Sequence, residues 1–167
     1  LFYAFGDTRL PARFVHTYSQ GLTKDGFFLD CWPAYDRLAR LAERQLDLTP
    51  WGPLLDHGVG FNFDCWYYYL YTGDREPLRE VYPRLLVFAN YLAGLRRDDG
   101  LLPVEDIGVP TVWIDHDAYQ QQRHKQCAFN LYAAAMLQHA LAPLARAFED
   151  GATAAEAERM GRDLLQA

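Results

Sequence analysis

Residues 60–71 read GFNFDCWYYYLY, and residues 126–137 read QCAFNLYAAAML. Only two side chains in each stretch are amides or carboxylates, and the rest are apolar or aromatic apart from one glycine. A helix that is apolar on nearly every face is normally buried on all sides. The two stretches therefore predict inner helices, over 58–73 and 125–148, around which other helices pack.

An amphipathic stretch follows each of these inner helices. Residues 75–97 place their apolar side chains on one stripe at helical spacing, and Asp74 precedes them as an N-cap. Pro83 lies inside this stretch, where we expect it to bend the helix without ending it. The second amphipathic helix is predicted over 153–166, with a capping box that begins at its first residue and ends at Glu156.

The order of buried and one-sided helices predicts an all-α fold of helical hairpins in two concentric layers. A charged, one-sided helix over 7–22 opens the series, and a short helix is expected over 35–46. A weak internal repeat supports the hairpin arrangement, because a Gly-Asp or Asp-Gly pair precedes each of the three one-sided helices.

Composition excludes several classes of protein. The chain has 167 residues, of which half are hydrophobic and 15% aromatic, so it is not intrinsically disordered. Sixteen basic side chains against 22 acidic ones give a net charge of -6, which argues against a nucleic-acid partner. No apolar run approaches the roughly 18 residues of a membrane span, so no membrane partner is expected.

The cysteines and the first residues bear on the origin of the chain. Cys31, Cys65 and Cys127 are odd in number and contain no CxxC pair, which favours reduced thiols over a disulfide framework or a zinc site. The compartment stays open, with a small preference for the cytoplasm. Residues 1–5 begin as an apolar helix already under way, so we expect an internal segment of a longer protein.

Two long loops, over 23–58 and 98–125, separate the outer helices from the inner ones. Loops of this length are usually functional. Both are rich in carboxylates, which bind hydroxyl groups, and in indole rings, which cover the apolar face of a sugar ring. We therefore predict a sugar-binding pocket formed by Asp30, Trp32, Asp56, His57, Trp113, Asp115 and His116.

Structural interpretations of the same residues stand beside the functional ones. Asp56 and His57 precede an inner helix and would also serve as a cap and a dipole partner. Asn62, Asp64 and Asn130 lie within apolar helices, where we expect structural hydrogen bonds. The histidine spacings match no metal-binding motif, so no metal or cofactor is predicted.

Three segments together resemble the α-L-rhamnosidases that have a six-hairpin catalytic domain. They are 3–10 (YAFGDTRL), 67–76 (YYYLYTGDRE) with Tyr82-Pro83 after it, and 113–115 (WID) followed by the predicted helix that contains 130–135 (NLYAAA). Their order and spacing match along most of the chain. The resemblance implies an (α/α)6 toroid that hydrolyses terminal α-L-rhamnosides with inversion. It also carries over Asp56, Trp113 and Asp115 as pocket residues, whereas Asp30, His57 and His116 are inferred from their positions.

The resemblance also limits what this chain contributes to catalysis. Six hairpins need more than about 300 residues, so residues 1–167 represent about three hairpins of a partial catalytic domain. The family's general acid lies in a motif upstream of Leu1, its general base lies on a later hairpin, and neither motif is found here. We therefore predict no catalytic residue in this segment, a rhamnoside as its substrate, and association with itself or with the rest of the parent chain.

Two alternatives remain open at this point. One is a helical scaffold or binding fragment without chemistry, although solenoid repeats have short, regular loops. The other is a different (α/α)6 toroid enzyme, such as an epimerase, a lyase or another glycosidase, with His57 or His116 as its base.

Overall fold

The computed structural model describes residues 6–33, 54–104, 112–113 and 125–167. These ranges contain helices and no β strand, which confirms the all-α prediction. The α helices are α1 (Arg9–Ser19), α2 (Leu55–Thr72), α3 (Tyr82–Leu95), α4 (Lys125–Met136), α5 (Ala142–Ala147) and α6 (Gly151–Gln166). None of the helices in the described ranges has the length and apolar content that crossing a bilayer requires. The predicted helix 35–46 lies outside the described residues.

Helices α4 and α5 belong to one rod, joined by a π-helical turn at Leu137–Leu141. Pro143 follows this turn and has no backbone N–H to donate to the carbonyl four residues earlier. A π turn accommodates the missing N–H because each of its carbonyls accepts from the N–H five residues later in place of the one four residues later. The helix predicted over 125–148 is thus confirmed in its extent, with a change of winding that the sequence pattern did not indicate.

The prediction of a single helix over 75–97 is wrong. A 3-10 turn occupies Glu76–Leu78, and α3 begins only at Tyr82, with Pro83 in its first turn. The N–H groups in the first turn of a helix have no acceptor within the helix, so a proline there costs no hydrogen bond. Pro83 therefore lies at the start of α3 and does not bend a longer helix. Asp74 does act as a cap, since its Oδ1 accepts a hydrogen bond from the Glu76 N–H at 2.9 Å.

The N-terminus of α6 also differs from the prediction. The cap is Asp150, whose Oδ1 accepts the N–H of Thr153 at 3.0 Å, and the helix begins at Gly151. The predicted capping box of Thr153 and Glu156 is therefore wrong, because Thr153 already lies within the first turn. Asp150 also accepts a hydrogen bond from the Tyr82 hydroxyl at 2.9 Å, which links α6 to the start of α3.

Helix α2 lies at the centre of the core. It packs against α1 on one side and against α4 and the π turn on another, while α6 covers α4 and α5. Phe88 of α3 contacts α2 where Gly58 leaves room, since a Cβ at Gly58 would lie 2.6 Å from the Phe88 ring. The phenylalanine ring thus occupies space that any larger residue at position 58 would fill.

The inner helices α2 and α4 each expose apolar side chains. Leu70 of α2 is 54% exposed and Leu131 of α4 is 53% exposed. Tyr67 and Tyr71 of α2 and Tyr132 of α4 are also exposed. We call these five residues of α2 and α4 the apolar face. Phe63 stacks on Tyr132 with ring centroids 5.6 Å apart.

The cysteines are all free thiols. Cys65 is fully buried in α2, while Cys31 and Cys127 are exposed. Burial raises the pKa of the Cys65 thiol well above its ordinary value, so this side chain behaves as a small apolar group in the core.

Asn130 of α4 has the structural role that the sequence predicts. It is 4% exposed, and its Nδ2 donates to the carbonyls of Gln126 and Leu102 at 2.8 and 3.0 Å. Its Oδ1 accepts the N–H of Leu102 at 2.8 Å. Asn62 matches the prediction in part, because its Nδ2 donates to the Gly58 carbonyl while its Oδ1 has no partner among the described residues.

We expect Asn130→Ala to destabilise the fold, because it leaves the buried N–H and carbonyl of Leu102 without partners. An unsatisfied buried group costs about 1–3 kcal/mol. The free energy of unfolding in urea should therefore fall by about 2–5 kcal/mol. Asn90→Ala, at an exposed position of α3, is the matched control and should change it by about 0.5 kcal/mol or less. Equal stabilities of the two variants would contradict this role.

Candidate functional site

A cavity of about 500 Å³ lies between α1, the segment that follows it and the first half of α2. Four of the side chains predicted for the sugar pocket line it, namely Asp30, Trp32, Asp56 and His57. These four residues line one cavity although Asp30 and Asp56 are 26 positions apart in the sequence. Asp115 and His116 lie outside the described residues.

A tight backbone turn after α1 brings Asp30 and Trp32 to this cavity. The chain reverses between Leu22 and Phe28, which form an antiparallel bridge, and the Leu29 N–H donates to the Gly21 carbonyl at 3.0 Å. Gly26 adopts a φ of 105° within the reversal, a conformation that favours glycine.

The indole of Trp32 is held close to the end of α1. A Cβ placed on Gly21 would lie 3.0 Å from the Cβ of Trp32, so the two segments approach closely only because position 21 has no side chain. The reversal and this close approach together fix Trp32 at the edge of the cavity.

Asp56 connects the two parts of the predicted pocket. It lies in the first turn of α2, and its Oδ1 accepts the backbone N–H of Trp113 at 2.8 Å. Trp113 is thus joined to the cavity through its backbone. Burial raises the pKa of Asp56, while the hydrogen bond from Trp113 and the positive charge of Lys125 oppose that rise.

Asp64 is a cavity residue that the sequence analysis assigned to a structural hydrogen bond. That assignment is wrong, because Asp64 is exposed to the cavity and accepts no hydrogen bond within the described part of the chain. Partial removal of its carboxylate from water raises its pKa above the ordinary value of 3.8. A lone carboxylate within an otherwise apolar stretch is the sequence signal that points to it.

Aromatic rings make up most of the remaining wall. Phe61 is the centre of this group, with the ring of Tyr18 4.6 Å away and that of Phe14 6.3 Å away, measured between centroids. Tyr132 of α4 reaches the same cavity. Tyr18 is not identifiable as a cavity residue from the sequence, because its spacing on an amphipathic helix is that of an ordinary core residue.

The cavity combines carboxylates with aromatic rings and has no lysine or arginine in its described lining. Such a wall suits hydroxyl groups and apolar ring faces better than anionic groups. Among the described residues, no three or more His, Cys, Asp or Glu side chains are grouped so as to hold a metal ion.

A scan of protein-family models and searches of curated proteins and of solved structures found no match to this chain.

Asp56→Ala should destabilise the chain, because the Trp113 N–H loses its acceptor. The expected loss in free energy of unfolding is about 1–3 kcal/mol at pH 7, measured by urea denaturation. Asp56→Asn should lose less, since its side-chain carbonyl still accepts the bond and no charge is buried. Asp98→Ala, at an exposed position, is the control. If Asp56→Ala were as stable as this control, the link between the two loops would be refuted.

Proposed function

We propose that this chain is part of the catalytic domain of an inverting glycoside hydrolase acting on terminal α-L-rhamnosides. In this proposal the segment supplies a wall of the sugar pocket. The observation that supports it most directly is the shared cavity of Asp30, Trp32, Asp56 and His57, which were selected from the sequence for sugar binding. The sequence resemblance to six-hairpin rhamnosidases supplies the reaction.

The size and lining of the cavity fit this role. Small-molecule sites generally have volumes of about 300–1,000 Å³ and combine apolar walls with a few polar groups. A cavity of about 500 Å³ is within that range. Trp32 offers an indole face, and Asp30, Asp56 and Asp64 offer carboxylate oxygens for ligand hydroxyls.

We further propose that the apolar face belongs inside a larger toroid. In an (α/α)6 arrangement, α2 and α4 would be inner helices, and neighbouring hairpins would cover Leu70 and Leu131. Both side chains are more than half exposed in this chain, which supports the presence of additional packing partners. Those partners are the rest of the parent protein or, for the isolated chain, a second copy.

An inverting glycoside hydrolase needs two reacting carboxyl groups. A carboxylic acid protonates the leaving oxygen, and a carboxylate about 6.5–9.5 Å away activates a water molecule. The resemblance locates both groups beyond residues 1–167. Asp56 is a poor substitute, since one of its oxygens is engaged by the Trp113 N–H.

The isolated 167-residue chain should therefore show no hydrolysis of an aryl α-L-rhamnoside. In the longer parent protein, Trp113→Ala or Asp115→Ala should lower kcat/KM roughly 5- to 150-fold, the equivalent of about 1–3 kcal/mol, with helical content unchanged. Asp98→Ala should leave kcat/KM as in the wild type. Turnover by the isolated chain that Asp115→Ala abolishes would show that the catalytic groups lie inside this segment.

The isolated chain should also self-associate through the apolar face. Sedimentation velocity over a range of concentrations should show dimers or larger species, and the double variant Leu70→Lys/Leu131→Lys should shift them toward monomer. Val87→Lys, at an exposed apolar position on α3, should leave the distribution unchanged. A monomer at every concentration would contradict the proposed packing role of this face.

A further inference from the structure

The ring of Tyr18 is buried, and its hydroxyl has no hydrogen-bond partner within the described part of the chain. Tyr18 is only 9% exposed, and its ring is held between Phe28 and Phe61, with centroids 6.0 and 4.6 Å away. Tyr18 lines the cavity. It therefore offers an unused O–H donor at the cavity wall.

Unused acceptors line the same cavity. Asp30 has one carboxylate oxygen, Oδ1, that is buried and has no hydrogen-bond partner among the described residues. The Asp64 carboxylate also accepts no hydrogen bond there, and both side chains line the cavity with Tyr18. A donor and two acceptors thus border one space without satisfying each other.

The protonation state of Tyr18 makes it a donor under ordinary conditions. Burial raises the pKa of its hydroxyl, and the negative charge of Asp30 raises it further, with smaller contributions from Asp64 and Asp56. The hydroxyl therefore keeps its proton near neutral pH and is available to donate to a ligand or to water.

The chemistry of these groups selects one class of ligand. An acidic sugar or a sugar phosphate would be repelled by the carboxylates of Asp30, Asp56 and Asp64, with no lysine or arginine in the described lining to offset them. Alcohol hydroxyls both donate and accept, so neighbouring hydroxyls satisfy all three side chains.

We infer that Tyr18, Asp30 and Asp64 form a second polar wall of the cavity that binds adjacent hydroxyl groups of a neutral sugar ring. Tyr18 donates to one hydroxyl, and Asp30 and Asp64 accept from its neighbours. This wall selects neutral sugars over acidic sugars. The inference rests on the proposed function, since it assigns residues and a ligand class to the same site.

The test is a titration of the 167-residue chain followed by ligand-observed saturation-transfer NMR, which tolerates self-association. The probes are methyl α-L-rhamnoside, a set of other neutral methyl glycosides and D-glucuronate. Affinity for half a pocket should be weaker than about 1 mM. We expect binding of a neutral glycoside, no binding of the acidic sugar, and a 5-fold or larger rise in Kd for Tyr18→Phe.

Tyr91→Phe is the matched control, because Tyr91 is also a partly buried tyrosine of the core but packs on Phe27 away from the cavity. It should bind as the wild type does. If Tyr18→Phe melts at a lower temperature, Asp64→Ala provides the second variant, since its position is exposed and alanine favours a helix. It too should raise Kd several-fold.

The possible results separate the two proposals. Rhamnoside binding that neither Tyr18→Phe nor Asp64→Ala weakens overturns the second wall and leaves the proposed function standing. Binding of a different neutral glycoside that depends on Tyr18 supports the wall and overturns the rhamnoside assignment. Binding of glucuronate in preference to neutral glycosides overturns the wall, and so does the absence of binding by any neutral glycoside.

Discussion

The packing of α2 is the constraint on which the rest of the structure depends. Near its start, Gly58 admits the ring of Phe88 from α3, and one turn later Phe61 contacts the rings of Tyr18 and Phe28. The same few residues therefore fix the positions of α1, α3 and the loop after α1. Because the cavity lies against this part of α2, core packing and site geometry are not independent.

Much of the fold is readable from the sequence because the hydrophobic period is strong. Helical spacing identifies every long helix, and the unbroken apolar runs identify α2 and α4 as the elements that others pack against. The sequence does not reveal that Pro83 begins α3, since a proline is compatible with both a bend and a first turn. Likewise, Asp150 and Thr153 are both good caps, and only the path of the preceding turn decides between them.

The candidate site was predictable to the extent that its chemistry differs from that of a core. Asp30, Asp56 and His57 attract attention because charged groups flank apolar helices. Tyr18 does not, because a tyrosine on the apolar stripe of a helix is normally a packing residue. The role proposed for Tyr18 depends on the missing hydrogen bond of its hydroxyl, which is a property of three-dimensional surroundings and leaves no trace in the sequence pattern.

The π turn at Leu137–Leu141 has a consequence for how the rod can vary. One additional residue in a helical turn rotates everything that follows by about 100° relative to an uninterrupted α helix. Gln138 in this turn lies so close to α6 that a Cβ at Gly161 would be 2.6 Å from its Cγ. Loss of a single residue between 137 and 141 would remove the extra winding and turn α5 away from its contacts with α6. Relatives of this chain should therefore keep the length of this turn even where its residues change.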